Sequence, residues 1–214
     1  MKIIIYTGPS ITANEASDIL EAEYRAPIKR GDILKAIEDK ADIIGIIDGV
    51  FHQNPAVGHK EIMAAMDKRI KVIGASSMGA LRASELDSLG MIGLGYVYEK
   101  YRDGEITSDD DVALTFTSDD YTHLSEALVT IEYTLNNALK EGILKKEEKN
   151  ELYTTAKSLF YPKRNYPLIL EKSKIPKEVK KELKNFIKTS VDIKKQDAIK
   201  LLNYIKEIAK NDNI

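Results

Sequence analysis

The chain has 214 residues, contains no cysteine and carries a net charge of −2 at pH 7. This length is enough for one well-packed core and a small second unit, so folding requires neither disulfide bonds nor a structural metal. The absence of cysteine excludes thiol nucleophiles, thiolate metal sites and dithiol redox motifs. Because the sequence shows no signal-peptide pattern at Met1–Ser10 and no run of 18 apolar residues, we expect a cytoplasmic protein without membrane contact.

Charge is distributed unevenly along the chain. Residues 1–139 contain 13 basic and 23 acidic residues, whereas residues 140–214 contain 19 basic and 11 acidic residues. We therefore predict two parts, an α/β core at 1–139 and a Lys-rich helical extension at 140–214. Acidic residues are interspersed with the lysines of the second part, which indicates solvated helix faces and no nucleic-acid partner.

Three strand–helix units are predicted in the first 86 residues. Lys2–Thr7 and Asp42–Ile47 are short apolar runs that end in turn residues, and the segment Lys71–Leu86 changes from a buried strand to a helix. Alternation of this kind favours a parallel sheet with right-handed crossovers. The predicted fold is a Rossmann-like α/β domain, with an open, mostly parallel sheet flanked by helices and an α-helical C-terminal extension.

Capping signals predict where the helices between these strands begin. Thr12 and Glu15 have the spacing of a capping box, and Asp32 is the predicted cap of the next helix. Asn54 followed by Pro55 predicts a helix that runs to about residue 69. His59 would then lie in the first two turns of that helix, near the carboxyl ends of the strands.

The remaining sequence is mostly helical. A short helix is predicted at Tyr96–Arg102, Val112–Thr117 fits an edge strand, and helical periodicity dominates from residue 123 onward. Two amphipathic helices are predicted at 177–189 and 194–210, with Tyr161–Pro167 as a linker before them. The acidic run 109–111 lacks the alternate spacing of a calcium loop, so we predict a solvated loop there and no metal site.

The turn at Ala75–Gly79 has the sequence ASSMG, which is the nucleophile-elbow pattern G-x-S-x-G with alanine in place of the first glycine. In that pattern Ser77 presents its hydroxyl at the carboxyl end of the sheet, beside backbone amides of a helix start that have no intrahelical partner. The alternative interpretation is that Ser76 or Ser77 caps the helix and Gly79 permits close packing of the helix on the strand. Both interpretations stay open on the sequence alone.

Two more candidate groups follow predicted strands. Asp48 comes directly after the strand Asp42–Ile47, and the turn Gly8–Ser10 comes directly after the first strand. Open α/β sheets bind ligands at the carboxyl ends of their strands, so these groups are candidates for the same site as Ser77. Backbone capping is the alternative role of Asp48.

Several segments together resemble the TfuA-like proteins. They are the segments Ile43–Ile62, Val72–Leu86 and Gly95–Leu114, with the turns Gly8–Ser10 and Arg30–Asp32 in matching places. The resemblance covers about the first 135 residues and does not extend into the tail.

The resemblance implies a role in peptide or protein thioamidation. TfuA-like proteins accompany a YcaO enzyme, which uses ATP to activate a backbone amide and replace its oxygen by sulfur. In methane-producing archaea the target is a glycine of methyl-coenzyme M reductase, and the Lys-rich, cysteine-free composition fits such a source. The implied partners are the YcaO enzyme, a small ubiquitin-like sulfur-carrier protein and a target protein or peptide. The resemblance also implies that this chain holds no cofactor of its own, because the YcaO enzyme uses the ATP.

Release of sulfur from a thiocarboxylated carrier is acyl transfer, which requires a nucleophile, a base and donors for an oxyanion. The candidate residues are Ser77 as nucleophile, His59 as base and Asp48 as the carboxylate that orients the imidazole. The base could alternatively be His52. The residues expected to bind the acyl carboxylate or the carrier's glycine tail are Gly8, Pro9, Ser10, His52 and Arg82. The alternative function is a non-catalytic docking or allosteric module that binds the YcaO enzyme or its peptide substrate.

Overall fold

The structure is a computed structural model that describes residues 1–50, 55–117 and 121–211. The chain forms two compact units. The first contains residues 1–107 together with the C-terminal segment that begins at residue 193, and the second contains residues 108–192. No helix within the described ranges has the length and apolar character needed to cross a bilayer.

A five-stranded, all-parallel sheet forms the centre of the first unit. Its strands are β1 (Ile3–Tyr6), β2 (Glu23–Arg25), β3 (Ile43–Ile46), β4 (Lys71–Ala75) and β5 (Ile92–Leu94), in the order β2-β1-β3-β4-β5. The predicted α/β class and parallel sheet are therefore confirmed. The strand order reverses between β1 and β3, and such a switch point opens a crevice at the carboxyl ends of the strands.

Among the described residues the first unit has six helices, and the last of them comes from the C-terminal segment of the chain. The helices are α1 (Ala13–Ser17), α2 (Asp32–Glu38), α3 (His59–Asp67), α4 (Met78–Leu86), α5 (Tyr96–Arg102) and α10 (Ile193–Asn211). The predicted bounds of α5 are confirmed. Thr12 caps α1 through the expected capping box with Glu15.

Two helices begin at residues other than those predicted. Gly31, with φ +87°, is the N-cap of α2, and Asp32 lies in the first turn, where its carboxylate accepts a hydrogen bond from the Lys29 amide at 3.0 Å. Helix α3 begins at His59, after the N-cap Gly58. The predicted start at Asn54 lies outside the described residues, and Pro55 is not helical.

The C-terminal helix α10 completes the core of the first unit. Its buried apolar residues pack with strand residues from β1, β3 and β4 in one cluster; those from α10 are Ala198, Leu201, Leu202 and Ile205. The division of the chain thus falls at 107/108 and 192/193 rather than at the predicted 139/140. Residue 139 is inside a helix of the second unit, and the charge difference along the sequence does not coincide with the packing.

The second unit is helical. It contains α6 (Leu128–Lys140), α7 (Lys146–Ser158), α8 (Tyr166–Lys172) and α9 (Lys177–Thr189), and the predicted bounds of α9 are confirmed. Apolar residues of all four helices share one buried cluster. The guanidinium group of Arg164 is buried and donates to the carbonyl groups of Ala156, Leu159 and Asp110 and to the Asp110 carboxylate. These bonds satisfy a charge that would be costly to bury alone.

Some predicted elements differ in the structure. Residues 112–117 contribute only an isolated antiparallel bridge between Phe116 and His123, so the predicted edge strand is wrong. Strands β2 and β5 lie where no strand was predicted, because each has only three residues and is too short for a periodic pattern. The predicted linker Tyr161–Pro167 is a 3₁₀ turn followed by the start of α8 within the second unit.

Candidate functional site

Asp48 and Ser10 are joined by two hydrogen bonds at the switch point of the sheet. Asp48 follows β3, and Ser10 lies in the loop after β1. The Ser10 amide donates to Oδ2 of Asp48 at 2.9 Å, and the Ser10 hydroxyl donates to Oδ1 at 2.6 Å. The Gly8 amide also donates to this carboxylate, and both Asp48 and Ser10 are buried. The structure thus brings together two groups that the sequence placed at the ends of separate strands.

A second serine extends this pair. The hydroxyl of Ser76 donates to the hydroxyl of Ser10 at 2.8 Å, so Ser76, Ser10 and Asp48 form a continuous hydrogen-bond chain across the loops after β4, β1 and β3. Ser76 has φ +70°, a left-handed conformation that costs a non-glycine residue about 1–2 kcal/mol. Strain of this kind is retained where the surrounding structure fixes the backbone, as it is at many functional turns.

Ser77 lies at the start of α4, immediately after the strained residue. It is 4% exposed, and its side chain does not cap the helix. Within the described residues its hydroxyl has no hydrogen bond, whereas its amide is held by the carbonyl groups of Ile47 and Ala75 at 3.3 and 2.9 Å. The predicted strand-to-helix turn is present. Ser77 occupies the N-cap position of α4, as the alternative interpretation has it, but its side chain makes no capping hydrogen bond.

Backbone amides of the first turn of α4 surround this position. Within the described ranges, the amides of Met78 and Ala80 have no backbone acceptor, while the amide of Gly79 donates to the Ile47 carbonyl at 3.3 Å. Free amides at a helix start carry partial positive charge and stabilise a nearby anion. The turn can therefore bind a negatively charged oxygen beside the Ser77 hydroxyl.

Gly74 and Gly79 allow α4 to lie directly on the sheet. A Cβ atom added to Gly79 would lie 1.8 Å from the Ile46 carbonyl oxygen, and one added to Gly74 would lie 2.1 Å from the Gly79 oxygen. No side chain fits in such contacts. The glycine of the ASSMG motif is thus required for packing, and the packing in turn fixes the serine turn above β3 and β4.

The electrostatics of the pair are set by burial and by a lysine from α10. Burial raises the pKa of the Asp48 carboxyl, whereas the positive charge of Lys194 and the donors of Ser10 and Gly8 lower it. Lys194 is itself only 2% exposed. The net direction is upward, so Asp48 binds a proton more readily than a carboxyl group in water does.

His59 lies in a different environment from Ser77. Its Nε2 atom is 2.8 Å from the Glu85 carboxylate, which also accepts a hydrogen bond from Arg82 at 2.6 Å. Arg82 donates in addition to the Val57 carbonyl at 3.1 Å. Glu85 is eight residues beyond Ser77 along α4, which corresponds to about 12 Å of helix rise.

The described contacts therefore do not join Ser77, His59 and Asp48 into one hydrogen-bonded triad. Among the described residues, the carboxylate nearest to the His59 ring is Glu85, and the side chain that contacts Asp48 by hydrogen bond is Ser10. His52, the alternative base, lies outside the described residues. Pro9 is part of the loop that carries Ser10.

The sequence interpretation missed Ser76 as a member of the hydrogen-bond chain and Lys194 as a buried charge that acts on Asp48. Ser76 was considered only as a helix cap, although two adjacent serines in an elbow pattern could have indicated a second role. No sequence pattern distinguishes Lys194, because it is one of many lysines in the amphipathic C-terminal segment. Its burial depends on where α10 packs.

Comparison with known proteins gives one result. No curated protein matches the sequence significantly. The family described as TfuA-like protein matches residues 48–165, more than half of the chain. The matched region includes Asp48, Ser76 and Ser77 but not Ser10 or Lys194. Since the match covers most of the chain and contains the serine turn, this protein belongs to the TfuA-like family.

Proposed function

We propose that this protein acts with a YcaO enzyme in ATP-dependent backbone thioamidation, and that it releases sulfide from a thiocarboxylated, ubiquitin-like carrier protein. The target would be a glycine of methyl-coenzyme M reductase, and ATP would be used by the YcaO enzyme. Family membership supports the partnership. The observation that carries the chemistry is the Ser77 hydroxyl, which has no hydrogen bond within the described residues and lies beside unpaired amides at the start of α4.

The proposed reaction is balanced without an oxidant or reductant. The Ser77 oxygen adds to the carbonyl carbon of the thiocarboxylate, and the carbon–sulfur bond then breaks. The hydroxyl proton passes to the departing sulfur, which leaves as HS⁻, and the carrier remains bound to Ser77 as an ester. Water hydrolyses this ester, which restores the hydroxyl and releases the carrier with an ordinary carboxylate and one proton.

The neighbouring groups would support each part of this reaction. The amides of Met78 and Ala80 can donate to the oxyanion that forms on the carbonyl oxygen. The chain from Ser76 through Ser10 to Asp48 holds the loops after β4, β1 and β3 in one arrangement. We assign the loop Gly8–Ser10 to binding of the carrier's C-terminal tail, since it lies at the same edge of the sheet.

His59 has no required role in this scheme. The leaving sulfur accepts the serine proton, and the His59 ring is paired with Glu85. Arg82 donates hydrogen bonds to the Glu85 carboxylate and to the Val57 carbonyl, just before α3. Its guanidinium group would have to give up one of these partners to bind a carboxylate of the carrier. His52 stays a prediction as an alternative base.

The test is sulfide release from purified, thiocarboxylated carrier protein by single variants. The rate of sulfide release by Ser77→Ala should fall by at least about 100-fold, because this variant lacks the proposed nucleophile. Ser84→Ala is the matched control, since Ser84 lies in the same helix and its hydroxyl donates only to the Leu81 carbonyl. His59→Ala should retain most of the activity. Full activity of Ser77→Ala would contradict the proposed nucleophile.

A second measurement separates sulfur release from docking. The complete thioamidation reaction is run with the YcaO enzyme, the target peptide and either the carrier or added sulfide. Ser77→Ala should fail with the carrier and recover with added sulfide. Failure to recover, with binding to the YcaO enzyme intact, would contradict sulfur release and support the allosteric module.

A further inference from the structure

A groove lies between α8 and α9 in the second unit, with a volume of about 320 Å³. Tyr166, Leu170 and Ile187 line it, and these three residues also belong to the apolar cluster of the second unit. Pro167 adds an apolar surface that is exposed to solvent. The apolar lining is therefore the outer side of a packed core. A surface that is already formed in the free protein avoids part of the cost of ordering on binding.

Three lysines of α9 line the same groove. Lys181, Lys184 and Lys188 are exposed, and their spacing places them on one face of the helix. The row that they form is about 10 Å long. In the described part of the chain, none of their ammonium groups takes part in an ion pair. Like charges at this spacing repel one another, so an anionic partner would be stabilised there.

The charge of the groove has one sign. Among the described residues that line it, three are lysines and none is acidic. The acidic residues of α9, Glu178 and Glu182, do not line the groove. An occupant that complements this surface therefore carries apolar side chains with carboxylates beside them.

We propose that the groove between α8 and α9 is a docking site for an acidic, amphipathic segment of a partner protein. The apolar side chains of the segment enter the groove, and its carboxylates pair with Lys181, Lys184 and Lys188. This is the mode in which an amphipathic helix binds a hydrophobic groove, and two turns of helix match the length of the lysine row. The lining residues follow residue 165, so the groove lies outside the family-matched region 48–165.

A protein segment fits this groove better than a nucleic acid does. Phosphate groups would also be attracted to the lysines, but the described lining contains no arginine, the residue that binds phosphate through two parallel hydrogen bonds. The aliphatic surface of Pro167, Leu170 and Ile187 offers contacts to apolar side chains, which a phosphate backbone lacks.

The first test uses a synthetic, fluorescein-labelled helical peptide with leucine on one face and glutamate at its other positions. Fluorescence anisotropy measures its binding to the full chain, and NMR amide signals report where it binds. The peptide should bind, should shift signals of α8 and α9, and should bind more weakly as salt is added. A version with serine in place of leucine should bind at least about tenfold more weakly, because it has no apolar side chains for the groove.

Charge reversal tests the lysine row. The triple variant Lys181→Glu/Lys184→Glu/Lys188→Glu changes only exposed side chains, so the fold should be retained. Its Kd for the acidic peptide should rise at least about tenfold, because three attractive contacts become repulsive. Should the triple variant not fold, Lys184→Glu alone, in the middle of the row, gives the same comparison with a smaller rise in Kd.

The matched control is the triple variant Lys140→Glu/Lys145→Glu/Lys146→Glu. It makes the same change in net charge at exposed lysines of the second unit that do not line the groove. Its Kd should stay within about twofold of the wild-type value, because net charge alone acts weakly at a distance in physiological salt.

Three outcomes would overturn the proposal: no binding of the acidic peptide to the wild-type protein, an equal Kd in the two triple variants, or signal shifts confined to other helices. Tighter binding of a single-stranded DNA oligonucleotide, lost in the variant of the lysine row, would overturn it in favour of a nucleic-acid site. None of these measurements uses the carrier protein or sulfide. Their outcome is therefore separate from that of the proposed function.

Discussion

The carboxylate of Asp48 accepts both the amide and the hydroxyl of Ser10, at 2.9 and 2.6 Å, and thereby connects the loops that follow β3 and β1. These two strands are adjacent in the sheet, and the chain leaves them in opposite directions. Doubly wound sheets open a crevice at that point. In this protein the crevice is bridged by a buried polar pair, to which the serine turn after β4 is attached through Ser76.

Ser10→Ala tests the contribution of this bridge to stability. The change removes the hydroxyl that donates to Asp48 and accepts from Ser76, so both buried groups lose a partner. We expect the free energy of unfolding to fall by about 1–3 kcal/mol. Urea denaturation measures the change, and Ser17→Ala is the control because that hydroxyl is exposed and bonds only the Asn14 carbonyl. Equal stability of the two variants would show that the bridge does not stabilise the fold.

Ser76→Ala and Ser76→Gly together measure the backbone strain at the turn. Both variants lose the hydroxyl, but only glycine adopts φ +70° without a steric penalty. We expect the glycine variant to be more stable than the alanine variant by about 1 kcal/mol. This sign is the reverse of the usual order at positions with negative φ, and thermal denaturation of the two proteins side by side is sufficient to detect it.

Gly79→Ala should prevent α4 from packing on the sheet. The added methyl group would overlap the Ile46 carbonyl oxygen, and backbone atoms on both sides cannot move without breaking the sheet. We expect a loss of more than about 3 kcal/mol, or no folded protein. Gly58→Ala is the control, because a Cβ there meets only the flexible Glu61 side chain at 3.5 Å. A stable Gly79→Ala protein would contradict the described packing.

Asp197 makes stability depend on pH. Burial raises the pKa of its carboxyl from the usual 3.8 to about 6, although the amides of Val97 and Tyr96 lower it. The folded protein therefore binds this proton more tightly than the unfolded chain, and the associated stability is complete below pH 3.8 and is lost as pH rises through 6. The loss amounts to at most about 3 kcal/mol.

Asp197→Asn isolates this contribution. The free energy of unfolding is measured for wild type and variant at pH 5 and pH 7.5, and the wild-type protein should lose more stability over this interval than the variant does. The raised pKa of Asp48 acts in the same direction, but it is common to both proteins and cancels in the comparison. Parallel pH profiles would contradict the raised pKa of Asp197.

The sequence predicted the central part of the sheet because β1, β3 and β4 are continuous apolar runs that end in clear turns. It did not predict β2 and β5, since three residues are too few to show a period. The sheet order could not be predicted either. Right-handed crossovers are compatible with several orders, and packing of helices on both faces selects the observed one.

The site was predicted in part for the same reasons. Asp48 and Ser77 follow predicted strands, so the fold alone places them at one edge of the sheet. The hydrogen bond of Ser10 to Asp48 depends on the path of a loop, and the pairing of His59 with Glu85 depends on the rotation of two helices. Neither is encoded in local patterns, and Lys194 is buried only because the chain returns to its first unit.

That return of α10 has a consequence for biosynthesis. All five strands leave the ribosome before residues 193–211 are translated. The apolar sheet residues that α10 covers, such as Ile5 and Ile73, are therefore exposed to solvent on the nascent chain. Exposed strands in this state are prone to association with other chains. The core of the first unit can therefore be completed only after residues 193–211 have left the ribosome, and a chain shortened by a premature stop codon before residue 193 would lack the helix that covers these strands.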